Sequence, residues 1–429
     1  MVNQLLQNII QHAYNTVPYY HDMFDKYNID PLSIKIPDDL IKLPVLKKEL
    51  IQAEPDRFIS SDYLYYPNKE NLVIKRTSGS TGKFLKVYWS RKDETRSMFH
   101  LWIARMKQYG IDPKDRFCSF HTTVYNYNRL LELNELVTSQ GKNNISLNKL
   151  KMNKSSIVDY YKQIIEYKPK WLLLQPSIAY LLSMYIHDNN LPLPNTLKYV
   201  ELTGEYLFKS YEEKIKEVFQ VRMANMYGCN EANGIAIECI KGHLHCLNNN
   251  IIVEVMWEGE KVSNDKEGEI YITCLTNNAM PFIRYALGDI GLLLFDHTCE
   301  CGNKSPIIKL SAGRISDFIS MQNGEMINSY VLLYPIEKIN SLMNNPINQF
   351  KVVQKSINNF TLYLSLNKSF SGWKESIAKE FLYYVSMVGF GDIKWDFIFF
   401  DSILPDPDTG KFQFFINNLQ SKETKIYEK

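Results

Sequence analysis

From Ile157 to Tyr227 amphipathic runs and short apolar runs take turns, and few folds admit that order. Ile157 to Tyr167 reads as a helix, Trp171-Leu172-Leu173-Leu174 as a buried strand, and Ile178 to Ile186 as a helix. Tyr199-Val200-Glu201-Leu202 reads as a strand, Tyr211 to Phe219 as a helix, and Arg222 to Tyr227 as a strand. Strand–helix alternation of this kind predicts an α/β layer with parallel strands. Cys118-Ser119-Phe120 adds a short strand before it, and Met98, Leu101, Trp102 and Met106 give residues 90–109 a helical spacing. Residues 1–50 read as helical and then irregular.

After residue 235 the texture changes. Ile251 to Val255 and Glu269 to Thr273 read as antiparallel strands around a charged turn. Past Phe318 the chain alternates again: Thr361 to Leu364 and Trp395 to Phe399 as strands, with a helix near Ser376 to Met387, which suits a small α+β domain. At 429 residues the chain exceeds one typical core, so two or three domains are expected.

Thr77-Ser78-Gly79-Ser80-Thr81-Gly82-Lys83 lies between Leu72-Val73-Ile74 and Leu85-x-Val87-Tyr88-Trp89, in the order strand, polar hairpin loop, strand. Such a loop offers backbone N–H groups and hydroxyls to an acceptor-rich ligand such as phosphate. Its glycines permit close approach, and Lys83 adds a mobile cation. It is not a Walker loop: Thr77 stands where the first glycine belongs, and Phe84 where Ser or Thr follows the lysine. The loop either takes phosphate by another geometry or is a plain hairpin tip.

Two turns follow predicted parallel strands: Leu202-Thr203-Gly204-Glu205 and Tyr227-Gly228-Cys229-Asn230-Glu231. Ligands bind at the carboxyl ends of such strands. Tyr227 suits contact with an aromatic base, and Glu231 suits a hard cation such as Mg²⁺. Further on, Arg284 and Asp289 flank a tight turn in apolar surroundings; there Asp289 suits two ribose hydroxyls, or an ion pair with Arg284. Gly313-Arg314-x-x-Asp317 and Gly410-Lys411 complete the series.

A net charge of +2 gives no electrostatic case for nucleic acid or a membrane surface. No apolar run is long enough to span a bilayer, and the first residues lack a signal-peptide pattern. A cytoplasmic location is the expectation. Seven cysteines, an odd number, do not suggest a disulfide framework.

Taken in order, Thr77–Lys83, Gly204-Glu205, Tyr227-Gly228-x-x-Glu231, Arg284-Tyr285-x-x-Gly288-Asp289, Gly313-Arg314-x-x-Asp317 and Gly410-Lys411 resemble the adenylate-forming superfamily. Within it the chain is most similar to the branch of phenylacetate–CoA ligases and CapK-type proteins, over nearly its full length. The resemblance implies a large N-terminal adenylation domain, residues 1–316, with layered α/β subdomains and a β-rich subdomain. A mobile α+β C-terminal domain, residues 317–429, would follow it, hinged at Asp317.

The resemblance also implies an AMP-forming acid–thiol ligase: ATP and a small carboxylic acid would give an acyl adenylate, and CoA would take the acyl group. A carrier-protein thiol, an amine or a sugar is the alternative acceptor. Thr77, Ser78, Gly79, Ser80, Thr81, Gly82 and Lys83 would hold phosphates. Gly204, Glu205, Tyr227 and Gly228 would frame the adenine and acyl pocket, Asp289 and Arg314 would hold the ribose, and Glu231 would bind Mg²⁺. Lys411, Glu231 and Arg284 are the expected catalytic residues, with His121, Tyr125 and Thr203 in the substrate pocket. Two departures stand out. Phe84 replaces a proline frequent after the loop lysine, and residues 120–128 lack the glycine-rich run of the phenylacetate enzymes. Phenylacetate is therefore not assigned. A monomer or a homodimer fits equally.

Cys239, His243, His245, Cys246, Cys299 and Cys301 crowd one stretch, and CapK-like relatives have comparable positions. Two short pairs suit tetrahedral zinc, the alternative being buried thiols beside an exposed histidine. Cys239, His245, Cys299 and Cys301 are the chosen ligands for a structural Zn²⁺, with His243 and Cys246 as substitutes.

Overall fold

The computed structural model describes residues 1–65, 72–77, 85–121, 136–148, 157–207, 209–257, 259–262, 266–295, 297–314, 318–322, 326–343, 346–367, 374–401, 403 and 413–419. Thr77, His121 and Arg314 are described by their backbone alone. Ser78 to Lys83, Tyr125, Asp317 and Lys411 lie outside the described residues.

Two helices, α1 (Val2–Thr16) and α2 (Pro18–Lys26), pack their apolar faces into the main core, and α3 (Lys48–Ala53) follows. Strands β1 (Leu72–Thr77) and β2 (Leu85–Ser90) pair antiparallel as a separate hairpin, with Lys75 opposite Val87 and Thr77 opposite Leu85. The Ser90 hydroxyl accepts from the Asp93 amide and so starts α4 (Arg91–Ala104). A π-helical turn, Arg105–Tyr109, extends α4.

This turn changes one expectation. The helical spacing places Met106 inward, yet Met106 is 48% exposed and Arg105 is buried instead. The wider π turn rotates the last residues of the helix and aims the guanidinium into the sheet.

The remaining strands up to Arg314 form one thirteen-stranded sheet among the described residues. Its first part comprises β3 (Phe117–His121), β4 (Val137–Gln140), β5 (Asn144–Asn148), β6 (Trp171–Leu174), β7 (Tyr199–Thr203) and β8 (Arg222–Cys229). Their spatial order is β4-β5-β3-β6-β7-β8, parallel throughout except for β4. The helices α5 (Ile157–Tyr167), α6 (Pro176–Asp188) and α7 (Lys209–Phe219) connect them.

Period-two alternation sorts the side chains of β6 and β7 between two layers. Leu172, Leu174, Val200 and Leu202 join the core with α5, α6 and α7. Trp171 and Tyr199 face Tyr109 and Trp102 on the other side. Both faces are covered, which is why these strands read as unbroken apolar runs.

Beyond β8 every pairing in the sheet is antiparallel: β9 (Asn233–Glu238), β10 (Leu244–Cys246), β11 (Ile251–Trp257), β12 (Glu260–Lys261), β13 (Gly268–Cys274), β14 (Tyr285–Leu294) and β15 (Ile307–Arg314). The order is β8-β9-β10-β15-β14-β13-β11-β12.

From Phe318 a further hydrophobic core begins. Strands β16 (Phe318–Ser320) and β17 (Met326–Asn328) pair, and α8 (Leu333–Leu342) and α9 (Lys374–Met387) pack near β18 (Ile347–Ser356), β19 (Asn359–Leu366), β20 (Lys394–Phe400) and β21 (Phe415–Asn417). The fold is a large N-terminal α/β unit with a β-rich part and a smaller α+β C-terminal unit.

Candidate functional site

Thr203 ends β7 and Gly204 turns the chain with φ +85°, a left-handed conformation natural to glycine. The turn places Glu205 so that its Oε2 accepts from the Ser177 amide at 3.0 Å. That amide opens α6, where a carboxylate is favoured by the helix dipole. One strand over, Gly228 crosses close to Asn233: a Cβ at 228 would stand 2.2 Å from the Asn233 carbonyl oxygen. Only glycine allows β8 to bulge there and present the turn from Cys229 to Ala232.

Tyr227 and Glu231 each meet a residue far along the chain. The Tyr227 hydroxyl donates to Asp289 Oδ2 at 2.7 Å. The Tyr285 hydroxyl donates to Glu231 Oε1 at 3.1 Å. Glu231 is buried and, among the described residues, has no cationic partner. Asp289 sits opposite Arg314 in the β14–β15 register, just after Gly288. Three of the motifs found along the sequence thus converge on one place, at the carboxyl end of β8. Thr203 is beside it, its hydroxyl 3.7 Å from Met226 Sδ on the neighbouring strand.

Arg284 requires a correction. Its side chain is buried and points away from this cluster. Nε faces Glu254 Oε1 at 3.3 Å, and Nη1 donates to the carbonyls of Leu43 at 2.6 Å and Ile41 at 3.3 Å. Its backbone has φ +52° and pairs with Leu46. Burial raises the Glu254 carboxyl above its ordinary range, and Arg284 pulls it back. Arg284 therefore fastens the segment after Pro37 to the β-rich part, and among the described residues its side chain bonds neither Tyr227, Glu231 nor Asp289. The resemblance carried by the Arg284-Tyr285-x-x-Gly288-Asp289 motif implied catalysis, but alternation puts the neighbours Arg284 and Tyr285 on opposite faces.

Tyr285 itself, as a partner of Glu231, is not evident from the sequence. A phenol within a recognised motif was the only available signal.

A second cluster lies in the β-rich part. Cys239 follows β9, His245 lies on β10, and Cys299 and Cys301 lie between β14 and β15. Their ligand atoms all fall within 4.8 Å of one another. Cys239 Sγ and Cys299 Sγ are 3.8 Å apart, and Cys301 Sγ is 3.4 Å from His245 Nε2. Two sulfurs on one tetrahedral zinc, each bonded at about 2.3 Å, stand about 3.8 Å apart. His245 Nδ1 is 3.0 Å from the Ser305 carbonyl, which fixes the tautomer that leaves Nε2 as an electron-pair donor. His243 is adjacent, with Nδ1 3.2 Å from Cys299 Sγ, whereas Cys246 is not in the group.

Residues 40–276, over half of the chain, match the AMP-binding enzyme family. The chain belongs to that family. Among curated proteins, Protein CapK of Staphylococcus aureus is 22% identical over 97% of this chain and 89% of its own length. A phenylacetate–coenzyme A ligase of Thermus thermophilus is 24% identical over 73% of this chain and 69% of its own. Among solved structures, 2-hydroxyisobutyryl-CoA ligase in the postadenylation state with R3-HIB-AMP has a TM-score of 0.75 at 20% identity. That match covers 97% of this chain and 88% of the other. O-succinylbenzoate coenzyme A synthetase of Bacillus subtilis with AMP has a TM-score of 0.52 at 18% identity, covering 83% and 69%. At these identities the likeness establishes the fold.

Proposed function

We propose that this chain activates a small carboxylic acid with ATP and passes the acyl group to the thiol of coenzyme A. The observation that carries the reading is the convergence of Tyr227 with Asp289 and of Glu231 with Tyr285, in a chain of the AMP-binding family. Asp289 accepts hydrogen bonds from ribose hydroxyls. The ring of Tyr227 lies against the base, and Gly204 lets the nucleotide approach the backbone. Glu231 is a buried carboxylate without a cationic partner among the described residues, and such a group fits a hard divalent cation. When bound there, Mg²⁺ would offset phosphate charge. Thr77–Lys83 hold phosphates by resemblance, as Lys411 does at the α-phosphate.

In the first step a carboxylate oxygen bonds to the α-phosphorus as the bond to pyrophosphate breaks. Charge grows on the α-phosphate oxygens, and a fixed cation lowers that barrier. In the second step the thiol sulfur bonds to the acyl carbon, AMP leaves with the C–O electron pair, and the thiol proton passes to solvent. Movement of residues 317–429 about Asp317 separates the two steps.

The acceptor has a second reading, because the name Protein CapK does not specify coenzyme A. Likeness to CapK spans nearly the whole chain, whereas likeness to the Thermus ligase spans 73% of it. On that reading a carrier-protein thiol, an amine or a sugar replaces coenzyme A.

Cys239, His245, Cys299 and Cys301 hold a structural zinc ion that pins the β9–β10 hairpin to the loop before β15; the sulfur spacing and the fixed His245 tautomer support this. A cytoplasmic location keeps these thiols reduced.

The test is pyrophosphate release from ATP across a panel of carboxylic acids, followed by mass spectrometry with each acceptor. Release with no acid in a broad panel, for protein that retains its fold, overturns the reading. Release without a thioester, with product on another acceptor, selects the second one.

A further inference from the structure

The turn that carries Glu231 is held on both flanks by the β1–β2 hairpin. On one side, the buried Trp89 of β2 donates its indole N–H to the Asn230 carbonyl at 2.9 Å. On the other, Lys75 of β1 donates to Asn233 Oδ1 at 2.7 Å. Asn233 has φ +60°, and its Nδ2 donates to Ser97 Oγ of α4 at 2.6 Å. A lysine ammonium only donates, so the orientation of the Asn233 amide is settled: oxygen to Lys75, nitrogen to Ser97.

Lys75 has further partners. Its Nζ is 2.8 Å from Glu94 Oε1 on α4 and 5.9 Å from the centre of the Trp89 ring. One half-buried cation therefore joins three elements: helix α4, strand β2 and the turn after β8. The ordinary reading is a partly exposed ion pair with Glu94, and such a pair contributes little. That reading leaves out Asn233. The Asn233 contact turns a surface charge into a brace two residues from Glu231. The third brace is Tyr285, which holds the Glu231 carboxylate itself.

We propose that Lys75 is a positioning residue: acting through Asn233, it sets where the Glu231 carboxylate stands. Lys75 lies ahead of the Thr77–Lys83 sequence and belongs to none of the motifs described above. The inference rests on the reading of Glu231 as the residue that meets the divalent cation of ATP. It assigns the ammonium no contact with the nucleotide.

The two nucleotides ATP and AMP separate a positioning role from general loosening. Both present adenine and ribose to Tyr227 and Asp289. Only ATP brings the β- and γ-phosphates that share a cation with Glu231. The experiment is isothermal titration calorimetry of the full chain with ATP plus Mg²⁺, ATP plus EDTA, and AMP. It compares wild type with Lys75→Gln, Asn233→Ala and the double variant. The expected result is a five- to thirtyfold weaker affinity for ATP in Mg²⁺ in each single variant, with AMP affinity within twofold of wild type. The double variant is expected to lose no more than the worse single, because both changes remove one contact.

Equal losses for ATP and AMP, an unchanged ATP affinity, a loss that persists in EDTA, or additive effects overturn the proposal. If Lys75→Gln does not fold, Lys75→Arg keeps the charge at an altered reach, and the same ATP-selective loss is required of it. A wild-type chain that binds neither nucleotide overturns the functional reading itself, and this inference with it; a wild-type chain that binds both isolates the fault to the role of Lys75.

Discussion

The Tyr227 hydroxyl stands 2.7 Å from Asp289 Oδ2, although three strands lie between theirs in the sheet. Neighbouring strands are about 4.8 Å apart, so four steps across a flat sheet span about 19 Å. No tyrosine side chain reaches that far. The sheet must curl back on itself from β8 through β9, β10 and β15 to β14, and the Tyr285–Glu231 contact closes the same gap. The curl gathers motifs some sixty residues apart into one site.

Removing the phenol of Tyr227 leaves Asp289 without that donor. A hydrogen bond to a charged group contributes about 1.5–3 kcal/mol. Tyr227→Phe is therefore expected to raise KM for ATP about tenfold, with KM for the acid little changed. Asp289→Asn, which weakens the acceptor proposed for the ribose hydroxyls, is expected to cost more. Steady-state pyrophosphate release with ATP and acid varied in turn checks both. A Tyr227→Phe enzyme with wild-type KM for ATP makes the contact incidental.

Much of this is legible in the chain itself. Strand β6 and helix α5 are legible to the residue, because the β6 run is buried on both faces and the α5 pattern repeats at helical spacing. The hairpin of β1 and β2 is equally clear from its polar loop. Strands β9, β10, β14 and β15 are not, since their glycines, bulges and short lengths break the alternation. Arg284 illustrates a different limit. A buried Arg–Glu pair and a catalytic arginine look identical in sequence, and only the partner atoms separate them. Lys75 and Asn233 had no signal at all, because their pairing joins residues 158 apart.

Lys411→Ala is expected to abolish adenylation while thioester formation from a supplied acyl adenylate survives. The reason is electrostatic: in the proposed role the Lys411 ammonium would meet charge that develops only as the α-phosphorus is attacked. Pyrophosphate exchange and single-turnover thioester assays separate the two steps. Retention of full adenylation removes Lys411 from the mechanism.

Arg105 and Glu201 form a bidentate ion pair, with Nε–Oε2 at 2.8 Å and Nη2–Oε1 at 2.5 Å, both residues fully enclosed. Tyr199 donates to the same carboxylate at 2.9 Å, and Trp102 and Trp171 lie over the guanidinium. Glu201→Gln leaves a buried cation without its counter-charge and is expected to cost about 3–5 kcal/mol. Arg105→Met combined with Glu201→Leu is expected to recover most of that loss, since two apolar groups leave nothing unpaired. Urea unfolding followed by tryptophan fluorescence measures both. A Glu201→Gln chain as stable as wild type contradicts the enclosed geometry.

Zinc gives the last prediction. Protein purified without added metal is expected to contain one equivalent by elemental analysis. Cys299→Ser is expected to lose most of it and to lower the melting temperature, because binding free energy at a structural site is folding free energy. Cys246→Ser, a change at a buried thiol outside the group, is expected to keep the metal. Loss of zinc in the Cys246 variant with retention in the Cys299 variant exchanges their roles. Zinc far below one equivalent in fresh wild-type protein leaves four thiol and imidazole groups with no ion to hold. In that case His245, with Nδ1 toward the Ser305 carbonyl, is a core histidine beside buried cysteines.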